Sequence, residues 1–197
     1  MDLKQRIAEV VETSNAEFMA QCYNLEGAPA LGSMVKTKSK DYDIYAIVYS
    51  SSTHGIDPNR RIIARGQNAG SEADIYKANP QLSKLLSTDF RALIVGYNKD
   101  KAILQYLPPS PASIYAFVYP CDMNEVRDFT QSLNFLSLLT DARLSVSPDE
   151  VITAFLRYAG QSHPSPNDFL VKAGKEIAWL LSNDIRRLDS ILKRLQK

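Results

Sequence analysis

An α+β fold is what this sequence of 197 residues predicts: a small N-terminal β-barrel, a mixed section, then a C-terminal helical domain. Three observations carry that expectation. Short runs rich in β-branched and aromatic residues, separated by turn chemistry, fill the stretch from Val10 to Arg65. Strands so short and closely spaced are the pattern of a small barrel. Two more strand-like runs, Arg91 to Tyr97 and Ala102 to Leu107, flank the turn residues Asn98-Lys99-Asp100. After Pro120 the apolar spacing changes to three and four residues, the period of helices. The predicted division is therefore 1–120 for the barrel with its mixed extension and 121–197 for the helical domain.

In order along the chain, Leu3, Ile7 and Val10 fit a helical turn, but Glu9 to Thr13 also fits a strand. Thr13-Ser14-Asn15-Ala16 is turn chemistry. Phe18, Ala20 and Cys22 alternate with Met19, Gln21 and Tyr23, the period of a half-buried strand. Gly32 opens the next strand, to Lys36, at a point where a Cβ would hinder the backbone. A polar tip from Lys36 to Asp43 leads to the clearest strand, Ile44 to Tyr49. Ser50 to Asn59 reads as a loop, Arg61 to Arg65 as a strand, and Gln67 to Ser71 as a second loop. Glu72 to Tyr76 reads as a short helix ended by Asn79-Pro80, and Pro80 opens another with Leu82, Leu85 and Leu86. Pro108-Pro109-Ser110-Pro111 is a stiff connector before a strand from Ile114 to Tyr119.

Three helix starts follow. Asp122 with Glu125 makes an acidic capping box, opening a helix with Val126, Phe129, Leu133, Leu136 and Leu139. Ser147-Pro148-Asp149-Glu150 opens a helix with Ile152, Phe155, Leu156 and Ala159, closed by Gly160. Ser165-Pro166-Asn167-Asp168 opens the last, where Ile177, Leu181, Ile185, Leu188, Leu192 and Leu195 form one heptad-like stripe. That stripe packs on the chain's other helices or forms a seam with a partner.

Composition narrows the function classes. A formal net charge of +1 carries no basic excess of the kind that marks nucleic-acid binding. The two cysteines, Cys22 and Cys121, lie far apart, so no disulfide framework or zinc spacing is present. They read as reduced thiols. No apolar run approaches the roughly 20 residues that span a bilayer, and the charged start Met1 to Arg6 leads into no signal-peptide core. The expected location is cytoplasmic. Gly66-Gln67-Asn68-Ala69-Gly70 lacks the Lys-Ser/Thr of a phosphate loop, and Ala173-Gly174-Lys175-Glu176 lacks its upstream glycine. His54 and His163 read as isolated, exposed loop histidines without metal-ligand spacing. No catalytic, cofactor or metal residues are assigned on these patterns.

What remains as a candidate site is an interaction surface. Lys36 and Lys38 flank a polar turn near Tyr42, Arg60, Arg61 and Arg65 bracket a strand, and Arg186, Arg187 and Arg194 lie in the last helix. A barrel displaying Lys, Arg and Tyr on one face is how oligonucleotide-binding barrels work. The interspersed Asp41, Asp43 and Asp57 oppose that reading. The C-terminal cations also complement a helix dipole.

The run Pro29-Ala30-Leu31-Gly32-Ser33-Met34-Val35, followed by Ile44-Tyr45-Ala46-Ile47-Val48, resembles the HAS barrel. This is the small barrel of HerA-type ATPases and of the N-terminal crown of the ATP synthase α and β subunits. The strand Val10-Val11, a turn and Glu17-Phe18 precede it in the same pattern. The resemblance covers roughly the first third of the chain, and no RecA-like ATPase segment follows. Barrels of that family pack side by side in rings and act as docking crowns. The resemblance therefore implies a non-enzymatic adaptor or assembly factor without a cofactor, whose partner is a protein such as an ATPase or a larger complex. Self-association is compatible with it. The alternative it implies is a nucleic-acid-processing accessory that binds DNA, RNA or a HerA-type ATPase.

Overall fold

The structure is a computed structural model that describes residues 6–57, 59 and 61–195. Its strands are β1 (Ala8–Thr13), β2 (Glu17–Cys22), β3 (Met34–Lys38), β4 (Asp43–Gly55), β5 (Leu86–Lys99), β6 (Ala102–Leu104) and β7 (Phe117–Pro120). The helices are α1 (Glu72–Ala78), α2 (Leu82–Leu85), α3 (Met123–Phe129), α4 (Leu136–Thr140), α5 (Pro148–Gly160), α6 (Pro166–Leu180) and α7 (Ile185–Leu195). The strands run in the order β2-β1-β7-β3-β4-β5-β6, and β2 also pairs with β5. That last pairing closes six strands into a barrel and leaves β6 as a short flap on the end of β5. The α+β class, with the barrel first and most helices after it, is as the sequence predicts.

Alternation explains the barrel. Ala8, Val10, Phe18, Ala20, Val35, Ile44, Ala46, Val48, Phe90, Ala92, Ile94 and Val118 fill its interior. Phe18 and Phe90 meet edge to face across β2 and β5, ring centres 6.4 Å apart. The residues between them on β3, β4 and β5 face outward and are buried too. Met34, Tyr45, Ile47, Tyr49, Leu93 and Val95 form one cluster with Val126, Phe129, Leu136, Phe155 and the α6–α7 residues. The barrel wall is thus the floor of the helical layer, and the two segments share a core. Bulges at Val95 and Tyr49, where the β4–β5 register shifts, re-aim this outer face.

Several sequence expectations need correction. Ser50 to Gly55 is strand, because the backbone of Leu86 to Arg91 pairs with it throughout. Arg61 to Arg65 forms no strand; it lies in the excursion between β4 and β5, where no strand runs beside it. The helix opened at Asp122 ends at Phe129, and Leu136 and Leu139 belong to the separate α4. The last stripe is split between α6 and α7. The first ends at Leu180, the Leu181 amide bonding the Ile177 carbonyl, and Asp184 starts the second, its Oδ1 accepting from the Arg187 amide at 3.1 Å and its carbonyl from the Leu188 amide. Ile191 and Leu195 then fold back into the core, and Gly174 leaves Leu192 room beside α6. Apart from Ile185, which is exposed, the stripe packs on the chain's own helices.

Gly32 marks where the layers touch. Its φ is +78°, and a Cβ there would sit 2.5 Å from the Phe155 amide nitrogen and 2.7 Å from the Ala154 Cβ in α5. Replacing Gly32 by alanine adds a left-handed penalty to a backbone clash. Gly32→Ala is expected to lower stability by about 2 kcal/mol or more. Thermal denaturation followed by circular dichroism reads the loss; an unchanged midpoint would mean that the two layers do not meet at this glycine.

Candidate interaction surface

The candidate cations are spread over three elements, and most have partners. Lys36 leaves the outer side of β3 and binds Glu125, half-buried, in the first turn of α3. Glu125 also accepts from the Asp122 amide at 3.0 Å, and Asp122 caps the Asn124 and Glu125 amides. The acidic capping box expected from the sequence is present, with the lysine fastened to it. Arg187 donates from Nε to Asp149 at 2.6 Å and to the Thr140 carbonyl at 3.1 Å, joining α7 to α5 and α4. Arg194 pairs with Glu150. These two carboxylates sit in the first turn of α5, where the helix dipole favours negative charge. Lys36, Arg187 and Arg194 are therefore fasteners within the fold.

The others face solvent. Lys38 lies 3.9 Å from Asp43 across the hairpin. Arg61 and Arg65 line one small apolar hollow with Ile62, Ile63, Leu82, Leu85 and Leu86, and Arg65 donates to Asn79 at 3.3 Å. Arg186 is exposed, and Arg60 lies outside the described residues. Arg61 and Arg65 line one hollow, and Lys36 and Lys38 line others on the β3–β4 hairpin.

The buried side of the barrel has its own polar junction. Glu17 accepts from the Tyr49 hydroxyl at 2.6 Å, and Arg91 reaches Glu17 at 3.5 Å and Glu12 at 3.3 Å. Burial, then the Glu17 carboxylate, pushes the Tyr49 phenol up to about 12. Glu17 also borders a cleft of about 450 Å³ between β5 and the α4–α5 loop, lined by Leu93, Ser137, Asp141, Arg143 and Leu144. In the same way burial, then Asp89, pushes the Cys22 thiol up to about 11, so it stays protonated at neutral pH.

The surface that sequence reasoning largely missed is the outer face of β2, β1 and β7, against which no helix packs extensively among the described residues. Phe117 stands opposite Glu9 on that face, and the Arg6 guanidinium lies 4.5 Å from its ring and 5.7 Å from that of Tyr23. The Tyr23 hydroxyl donates to Glu9 at 2.8 Å. Tyr115 is 72% exposed at a φ of +63°, its amide bonded to the Val10 carbonyl beside β1. Val11 and Met123 are exposed as well. The available signal was the alternation itself: Phe117 and Tyr23 fall on the outward phase of strands whose inward phase is Val118, Ala20 and Cys22.

The histidines part company. His54 is at the end of β4, 3.6 Å from Asp89, whose Oδ1 accepts from Ser87 at 2.9 Å. His163 is not a free loop histidine, as the sequence had it. Its ring stacks on Phe169 at 4.2 Å and its Nε2 lies 2.8 Å from the Thr130 hydroxyl. The same hydroxyl lies 2.7 Å from the Val126 carbonyl, so the ring is tied through Thr130 to the end of α3. No group of metal-ligating side chains is present among the described residues. No helix is long and apolar enough to cross a membrane among them.

The sequence matches no protein-family model and no curated protein.

Burial, then the positive charges of Lys172 and Arg127, lowers the pKa of His163. A depressed value means that the fold favours the neutral ring. That contribution is complete above the ordinary histidine pKa of about 6.5 and is lost as pH falls through the lower folded value. Melting temperature measured against pH is expected to fall below about pH 6.5 more steeply in the native protein than in His163→Gln. Parallel curves would show that His163 carries no linkage.

Proposed function

We propose that this protein is a non-enzymatic adaptor that works by protein–protein contact through the open face of a HAS-type barrel. The observation that carries the reading is the exposed group of Tyr23, Phe117 and Tyr115 with Arg6, on and beside strands against which no helix packs extensively among the described residues. Tyr, Phe and Arg are the side chains enriched in the buried centres of protein interfaces. The barrel resemblance supports the same reading, since barrels of that kind dock laterally onto neighbours. Phe18 of the Glu17-Phe18 pair fills the barrel, while Glu17 braces Tyr49 and Arg91. A cytoplasmic location and a partner that is an ATPase or a larger assembly belong to this proposal.

The nucleic-acid alternative draws less support. Of its candidate cations, Lys36 is bound to the Glu125 carboxylate of the same chain and Lys38 lies 3.9 Å from Asp43, and the hairpin hollow around Lys38, Lys40 and Lys101 also holds Asp41, Asp43 and Asp100. Phosphate binding needs cations that are free to replace counterions.

Affinity purification of the tagged protein from its own cells, with Tyr115→Ala/Phe117→Ala alongside, tests the proposal. A partner recovered by the native protein is expected to be depleted at least tenfold by the double variant, with its melting temperature nearly unchanged, as truncation of central aromatics typically costs about 2 kcal/mol of binding. Equal recovery would overturn it, as would salt-sensitive DNA or RNA binding in anisotropy titrations lost on charge reversal at Arg61 and Arg65.

A further inference from the structure

We propose that the outer edge of β4 from Tyr49 to Gly55 is a strand-pairing site, and that its occupant is the same edge of a second copy of this chain, antiparallel about a two-fold axis. The inference is independent of the adaptor reading, which uses the opposite wall of the barrel.

A closed barrel has no sheet edges, and closure is how such folds escape edge-to-edge association. Besides the short flap β6, this barrel leaves one longer segment of its wall without that protection. On its outer side β4 pairs with β3 only as far as Ile47, opposite Met34. Two further bonds follow, from the Gly32 amide to the Val48 carbonyl and from the Val48 amide to the Ser33 carbonyl. Beyond them β4 continues to Gly55, held on its other side by β5 through Ser50↔Arg91, Ser52↔Asp89 and Gly55↔Leu86. Among the described residues, nothing bonds the outer edge of this segment. Its length, at about 3.4 Å per residue, is roughly 20 Å, enough for a ladder of main-chain bonds.

The segment also lacks the devices by which edge strands are blunted. Ser50-Ser51-Ser52-Thr53-His54-Gly55 contains no proline, lysine, arginine or carboxylate. The one bulge lies at its root, at Tyr49, and the segment beyond is regular. Its side chains from Ser51 to Thr53 are small and exposed, and the exposed His54 beyond them turns toward Asp89 of β5.

Two features select a second copy as the occupant. Antiparallel pairing of an edge with itself needs no net complementarity when the edge is uncharged, and full overlap from Tyr49 to Gly55 places Ser52 opposite its own copy. The ends are complementary as well. Leu31, 46% exposed, lies at the root beside the Gly32–Val48 bond, and Ile56, 58% exposed, lies at the tip. A two-fold antiparallel arrangement sets the tip of each copy against the root of the other, so that each exposed Ile56 meets a Leu31. An isologous interface closes at two copies.

The test uses the full chain. Sedimentation velocity over a range of concentrations is expected to show a monomer–dimer equilibrium, and hydrogen–deuterium exchange is expected to slow at Ser50–Gly55 as concentration rises. Ser52→Lys, which puts like charges opposite each other, is expected to weaken the dimer at least tenfold while the monomer stays folded. Ser52→Glu is expected to do the same, and mixing the two variants to restore a dimer. Tyr115→Ala/Phe117→Ala is expected to dimerise as the native protein does. A monomer at every concentration, a dimer indifferent to Ser52→Lys, or protection confined to other segments would each overturn the proposal.

Discussion

Strand β4 has two faces to bury, and the rest of the molecule is arranged around that requirement. Every residue from Ile44 to Tyr49 is buried. Ile44, Ala46 and Val48 face into the barrel, while Tyr45, Ile47 and Tyr49 face out. A barrel alone satisfies only the first set. With Met34, Leu93 and Val95 the second set makes an apolar wall that water would meet if the helices were absent. Each such side chain contributes about 1.5–3 kcal/mol on burial. The wall therefore needs a cover, and α3, α4 and α5 supply it, with Phe129 on Tyr45 at 5.2 Å and Phe135 on Phe155 at 5.4 Å. A boundary near residue 120 divides strands from helices in sequence but runs through the middle of a core.

What the sequence disclosed and what it withheld follow from the range of the interactions involved. Alternation and capping are local, so the strands at Phe18–Cys22 and Ile44–Tyr49, the Asp122–Glu125 capping box and the left-handed Gly32 were all legible. Closure was not, because it depends on β2 meeting β5 at Phe18↔Ala92 and Ala20↔Phe90, pairs that no local pattern records. The polar run Ser50–Gly55 looks like a loop because its side chains are those of loops; its strand geometry comes from the backbone of β5 and a Thr53–Thr88 hydroxyl contact at 2.7 Å. The reverse error at Arg61–Arg65 has the same origin. Two isoleucines have strand propensity, but propensity without a partner strand leaves irregular chain. In the split of the last stripe, α6 ends at Leu180 and Asp184 caps the start of α7 within an apolar spacing that runs through both.

The candidate cations teach a related lesson about charge. In sequence Lys36 sits in a basic turn and Arg187 and Arg194 sit in a basic helix end. In space their nearest charges are Glu125, Asp149 and Glu150, brought from distant parts of the chain. The linear clusters dissolve into cross-links, one from the barrel to α3 and two from α7 to α5, each at the first turn of a helix. Half-buried pairs of this kind contribute to position more than to net stability.

The barrel surface consequently has a covered wall, an open wall and, along β4, an open edge, and the division has a physical logic. A wall that carries Tyr45, Ile47 and Tyr49 has to be covered within the chain. A wall that carries Phe117 and Tyr23 with Arg6 and Glu9 between them tolerates water, because the charges solvate the rim of each ring, yet it retains aromatic area that desolvates readily. The edge differs from both. Its main-chain groups are satisfied by water and equally by another strand, so it discriminates by shape and register and not by hydrophobicity. Two surfaces of such different chemistry on opposite sides of one small barrel do not compete for a single partner. Contact through the open wall leaves the edge available, and pairing through the edge would present two open walls to the same assembly, which strengthens weak docking through effective concentration without any new contact.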